Sequence, residues 1–133
     1  MKIENHLKNL KESLRKIDEA IKEGLSDNQR TIGFHTSAAC ADMLEILLHK
    51  KNLLPTELII KHEWLASESK IKEKFIFDFD GRNEILKIIS AIEKKRNTLC
   101  YGSPQDEEIL EEIILLFNKA KNKFKELGLN EIE

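Results

Sequence analysis

Only two cysteines, two prolines and five glycines occur in 133 residues, and aromatic side chains make up 6% of the chain. Each shortage excludes something. Cys40 and Cys100 lie far apart with no CxxC spacing, so neither a disulfide framework nor a cysteine zinc site is available; both read as small, reduced core residues. No low-complexity stretch, linker or internal repeat divides the sequence, which implies one domain spanning residues 1–133. No apolar run approaches the length that spans a bilayer, so no membrane contact is expected. The opening Met-Lys-Ile-Glu-Asn-His lacks the apolar core of a secretory signal, and the expectation is a cytoplasmic protein. A net charge of -2 supplies no global attraction for nucleic acid, so any RNA contact needs a local basic patch. Arginine, the residue suited to bidentate phosphate recognition, occurs only at positions 15, 30, 82 and 96.

What the chain does have is helical periodicity. Ile3, Leu7, Leu10, Leu14, Ile17 and Ile21 alternate steps of four and three, which predicts a one-sided helix that stops at Gly24. Ser26, Asp27 and Asn28 can cap a second helix running to about Asn52. From Ala38 to Leu48 that helix is apolar around most of its circumference, so it must touch at least two neighbours. Pro55, Thr56 and Glu57 suit the first turn of a third helix through Leu58, Ile59, His62, Leu65 and Ala66. Phe75 to Phe79 reads as an extended connection whose phenylalanines plug the core. A fourth helix is predicted from about Arg82 to Cys100, and Gly102-Ser103-Pro104 breaks it. Ser103 as cap and Pro104 as first residue predict a fifth helix, ended by Gly128 and followed by a fraying tail. The fold class is therefore all-α, and Leu44, Leu47, Ile88, Ile92, Ile113 and Phe117 are the expected core.

Three features could carry chemistry. His35, Asp42, Glu45 and His49 form a polar strip on the second helix, readable as a solvated strip, a polar seam between helices or part of a metal site. No complete HExxH or Glu-x-x-His pair accompanies them, so neither a metal nor a cofactor is expected. His62 shares the apolar side of its helix, where a histidine is most often a satisfied core residue. Arg96 falls near the centre of the stripe made by Ile85, Ile88, Ile89, Ile92 and Leu99. It reads either as a side chain snorkelling from the core rim or paired with a carboxylate, or as a functional arginine in a cleft or dimer seam.

The helix order, the opening Phe34-His35-Thr36-Ser37-Ala38-Ala39 of the second helix and the Arg96-Asn97-Thr98-Leu99-Cys100-Tyr101-Gly102 ending of the fourth together resemble the HEPN superfamily over roughly residues 3 to 127. The resemblance implies an up-and-down bundle of four or five helices that commonly forms a homodimer and works in RNA- or nucleotide-linked biology. Many members are metal-independent ribonucleases with an Arg-x4-6-His motif, often with Asn after the Arg. Arg96 and Asn97 match its first half, and Tyr101 stands where the histidine would be. A phenol with a pKa near ~10 is a poor base at neutral pH. The implied site is then Arg96 for phosphorane charge, Asn97 for orientation and Tyr101 as hydrogen-bond donor, with base duty falling to another group such as His35. A second Arg-x4-His string, Arg30 to His35, is a secondary candidate. Other proteins of the resembled family pair with a nucleotidyltransferase in toxin–antitoxin systems, which implies a non-catalytic interaction subunit as the alternative. On a straight helix Arg96 and Tyr101 diverge by roughly 140°, so they converge only if the helix ends between them or two subunits share the site.

Overall fold

The computed structural model describes residues 2–54, 60–75 and 77–132. Among these residues there are helices and no strands: α1 (Ile3–Glu23), α2 (Gln29–Lys50), α3 (His62–Leu65), α4 (Glu68–Lys74), α5 (Arg82–Tyr101) and α6 (Glu107–Glu126), with 3₁₀ turns at Ser26–Asn28 and Asn130–Ile132. The boundaries follow local chemistry. Gly24, at φ +122°, ends α1 where an L-residue would be strained. Asn28 caps no backbone N–H of α2; its side chain instead donates back to Gly24 O at 2.8 Å. At the end of α2, Asn52 takes the left-handed conformation while Leu53 N–H returns to Leu48 O, a Schellman closure.

Three expectations need correcting. The third helix is a single turn from His62 to Leu65, because Ser67 starts a new helix by accepting from Lys70 N–H; its expected start at Pro55–Glu57, with Leu58 and Ile59, lies outside the described residues. The last helix begins at Glu107 rather than Pro104, since residues 103–106 bridge across to α2. The tail does not fray before Ile132. Gly128 lets Leu129 N–H close on Phe124 O, and Leu129 and Ile132 are then buried in the main core.

Antiparallel packing of the four long helices is visible in their contacts. His6 meets Asp42 and Ser13 meets His35, so α1 and α2 run oppositely. Gln29 reaches Leu99 while Ser37 reaches Glu93, which sets α5 against α2. Lys123 meets Glu84 near the start of α5. Helix α2 packs on α1, α5 and α6 at once, as its nearly continuous apolar surface requires. Leu44, Leu47, Ile92, Ile113 and Phe117 are buried, and Ile88 is half-buried at the core margin. Phe75 is fully inside, and its ring meets Trp64 and Phe77 edge-on, so the connection does plug the core.

Gly33 fixes how closely α2 and α5 approach. A Cβ there would stand 2.5 Å from Leu99 Cβ and 3.3 Å from Cys100 Sγ, so only glycine permits the contact. Four residues earlier Gln29 clamps the same crossing: its amide donates to Leu99 O and Ser103 O, and its carbonyl accepts Gln105 N–H at 2.8 Å. The last turn of α5 is thereby held beside the first turns of α2.

Candidate functional site

Two cavities flank Phe34 and His35. The first, about 350 Å³, is lined by Arg30, Thr31, Phe34, His35, Cys100 and Tyr101, where α2 meets the end of α5. The Arg30 to His35 string therefore lies on the same wall as Tyr101. Arg96 does not line this cavity. Its guanidinium carbon stands 5.8 Å from the Phe34 ring centroid, a cation–π contact, and its Nε is buried without a hydrogen-bond partner among the described residues. No carboxylate pairs with Arg96 among the described residues, which leaves its charge uncompensated beside the aromatic wall.

Helix α5 continues through Tyr101, with Gly102 N–H still bonding Thr98 O. Ending the helix between Arg96 and Tyr101 is thus excluded as a way to make them converge. Within one chain Arg96 meets the Phe34 ring and Tyr101 shares a cavity wall with it. Asn97 is exposed and has no side-chain partner among the described residues. Tyr101 is 74% exposed and Phe34 47%, two large aromatic surfaces facing solvent at one cavity. His35 sits between: Nδ1 lies 3.0 Å from Ser13 Oγ, and burial pushes its pKa below the ordinary imidazole value of 6.5, so the ring is neutral at pH 7.

The second cavity, about 410 Å³, opens between α1 and α2 and is bordered by His6, His35, Asp42, Glu45 and His62. Here the polar strip is a seam, not a solvated face. His6 Nδ1 lies 2.8 Å from Asp42 Oδ1, and Nε2 makes an ion-pair contact with Glu45 Oε2. Glu45 also accepts Ile60 N–H at 2.6 Å. Burial opposes charge on His6, but the two carboxylates outweigh it and hold the imidazole up at about 9. Burial likewise raises Asp42, whereas for Glu45 the His6 cation and the Ile60 amide overcome desolvation and lower it. His49 stacks its ring 6.2 Å from His6 without joining the pair. Among the described residues no group of three or more His, Cys, Asp or Glu side chains could hold a metal ion; of the strip, Asp42 and Glu45 pair with His6, His35 meets Ser13 and His49 has only its ring contact with His6.

A third polar contact lies across α2. Ser37 Oγ donates to both oxygens of the buried Glu93 carboxylate at 2.9 Å, and His62 Nδ1 lies 3.1 Å from each of them. Serine, histidine and glutamate together suggest a nucleophile triad, but the connectivity is wrong. Ser37 and Glu93 meet the same imidazole nitrogen, and the serine proton is spent on the carboxylate, so no base is placed to activate Ser37. His62 is satisfied as expected, though half-exposed rather than in the core.

His6, Ser13 and Glu93 were not legible as site residues. His6 and Ser13 are seven apart on α1, as are His35 and Asp42 on α2; matching polar positions one heptad apart on neighbouring antiparallel helices were the available signal. Glu93 heads the Glu-Lys-Lys-Arg stretch near the end of α5, and no spacing in the sequence points it to Ser37 and His62.

No family model matches the chain, and no curated protein or solved structure matches it significantly.

Proposed function

We propose that this chain is a HEPN-like up-and-down helical bundle acting in RNA- or nucleotide-linked biology, as a homodimeric, degenerate metal-independent ribonuclease. The observation that carries this reading is the cavity that gathers Arg30, His35 and Tyr101 around Phe34, with Arg96, which has no carboxylate partner among the described residues, against that ring. Phosphoryl transfer without a metal needs cationic stabilisation of the phosphorane, a neutral base and a proton or hydrogen-bond donor. Arg96 and Arg30 supply the first, His35 the second and Tyr101 the third, with Asn97 orienting a phosphate from the exposed side of α5. A twofold axis at this end of the bundle would cover Phe34 and Tyr101 and bring Arg96 toward Tyr101 of a second copy.

The exposure of Phe34 and Tyr101 favours a second reading, a non-catalytic subunit that presents this aromatic face to a nucleotidyltransferase-type partner in a toxin–antitoxin-like system. Cleavage of single-stranded RNA in EDTA separates the two. If Arg96 faces the reacting phosphate, Arg96→Ala loses more than ~2 kcal/mol of transition-state stabilisation. Tyr101→His restores the spacing of the catalytic pair and raises cleavage, with a pH dependence near the imidazole pKa. Inert wild type and an inert, folded Tyr101→His would leave the interaction subunit as the function, and an Arg96→Ala variant that cuts like wild type would remove Arg96 from the site.

A further inference from the structure

A cavity of about 600 Å³ lies between α4 and the middle of α5, sharing no lining residue with the two cavities beside Phe34. Its size falls within the range of small-molecule sites, roughly 300–1,000 Å³. Ile71, Leu86 and Ala91 give it an apolar surface, and Lys72, Lys87 and Lys94 stand around it. Among the described residues Lys16, Lys70, Lys74 and Lys123 meet carboxylates. None of these three has such a partner among the described residues. Among the described residues Glu68 is the one acidic side chain lining the cavity with them. Arg82 adds charge at one end, its guanidinium anchored by the carbonyls of Phe75 and Phe77 and by Asn83 Oδ1.

Ser90 completes the lining. A serine inside a helix ordinarily returns its O–H to the carbonyl four residues back, as Thr36 does to Ile32 O at 2.7 Å in α2. The Ser90 hydroxyl is buried and has no hydrogen-bond partner among the described residues. An orphan hydroxyl at an apolar surface ringed by unpaired cations is the pattern of a ligand site whose ligand supplies the missing contacts.

We propose that this cavity binds a small organic anion. Its apolar body rests on Ile71, Leu86 and Ala91 and presents one hydrogen-bonding group to Ser90. Its carboxylate or phosphate head is held by Lys72, Lys87 and Lys94. The site is independent of the one at Phe34, and its test does not involve RNA.

The experiment is an amide-resolved NMR titration of the full chain with five probes: naphthoate, hydroxynaphthoate, naphthyl phosphate, the neutral naphthalenemethanol and inorganic phosphate. At least one naphthyl anion shifts the amides of Ile71, Leu86, Ser90 and Ala91 saturably, and the neutral alcohol and free phosphate bind at least about tenfold more weakly. Which anion binds tighter identifies the head group. Lys87→Glu with Lys94→Glu, exposed changes that leave the core alone, weakens the anion by about tenfold or more. Ser90→Ala removes any preference for hydroxynaphthoate over naphthoate while leaving naphthoate itself unchanged. Equal binding of anion and neutral alcohol, undiminished binding by the double glutamate variant, or no saturable shift up to about 5 mM overturns the proposal.

Discussion

His6 is a buried cation held between two carboxylates, and replacing it tests whether charge compensation holds α1 to α2. Its pKa stands at about 9 against an ordinary 6.5, equivalent to about 3 kcal/mol of preference for the folded chain. Because the folded value is raised, that stability is fully present below pH 6.5 and is lost as pH rises through 9. His35, shifted the other way, acts mainly below pH 6.5, so the interval above it reports on His6. The cysteines Cys40 and Cys100, whose thiols burial keeps protonated, add a loss of their own only near the top of that interval. His6→Gln keeps a hydrogen-bonding side chain but leaves Asp42 and Glu45 buried together without their cation. Breaking such a pair costs about 3–5 kcal/mol near pH 8, and part of it returns at lower pH as the carboxylates take up protons. Adding Asp42→Asn and Glu45→Gln removes all three charges, and the triple variant should return to within about 1–2 kcal/mol of wild type with a flatter pH profile between 6.5 and 8. Urea unfolding at pH 5, 6.5 and 8 measures all three proteins. A single variant as stable as the triple one at pH 8 would refute the reasoning, because the carboxylates would then not depend on His6.

Gly33→Ala should destabilise the chain by about 1–3 kcal/mol in thermal or urea unfolding, because its Cβ would meet Leu99 Cβ at 2.5 Å and force α2 from α5. Phe34→Ala removes the ring under Arg96 and should affect stability little, since Phe34 is half in solvent. It should nevertheless lower RNA cleavage or partner capture, whichever activity wild type shows. Histidine titration by NMR should place the His35 midpoint below 6.5 and that of His6 near 9, an order opposite to the one their shared burial alone would give.

Helix α1 shows what hydropathy can and cannot convey. Its apolar series Ile3, Leu7, Leu10, Leu14, Ile17 and Ile21 marked a helix correctly, yet the buried line runs through His6, Leu10, Ser13, Ile17 and Ala20. Leu7 and Leu14 flank that line half-buried, and Ile21 is exposed. The face is turned because α2 presents Asp42, Glu45 and His35, which need polar partners more than further leucines. A periodicity built on apolar residues counts His6 and Ser13 as solvent-facing, although in a seam they are the most constrained residues present. Arg96 was legible for the opposite reason, a cation breaking an apolar stripe, but its neighbour Phe34 lies 62 positions away by number in another helix, and no spacing rule joins them.

The same seam bears on the candidate site through the rotation of α2. A helix apolar on nearly every side could turn about its axis at small cost in buried area. Polar partners remove that freedom. A turn of one residue, about 100°, would carry Asp42 from His6, His35 from Ser13 and Ser37 from Glu93 together, stranding buried charges on both sides of the helix. The orientation so fixed also sets Arg30 and Phe34 beside Tyr101, and the Phe34 ring beneath Arg96. The seam therefore positions the cavity wall, and His35 belongs to both, bonded to Ser13 and lining the cavity at that end. The triple amide variant separates this role from stability: if the ion pairs set the rotation, its amide spectrum should broaden or shift at Arg30, Phe34 and Tyr101, far along the helix from Asp42. Unchanged signals there, in a protein whose stability has lost its dependence on pH, would assign the orientation of α2 to Gly33 and Gln29 at the α5 crossing instead.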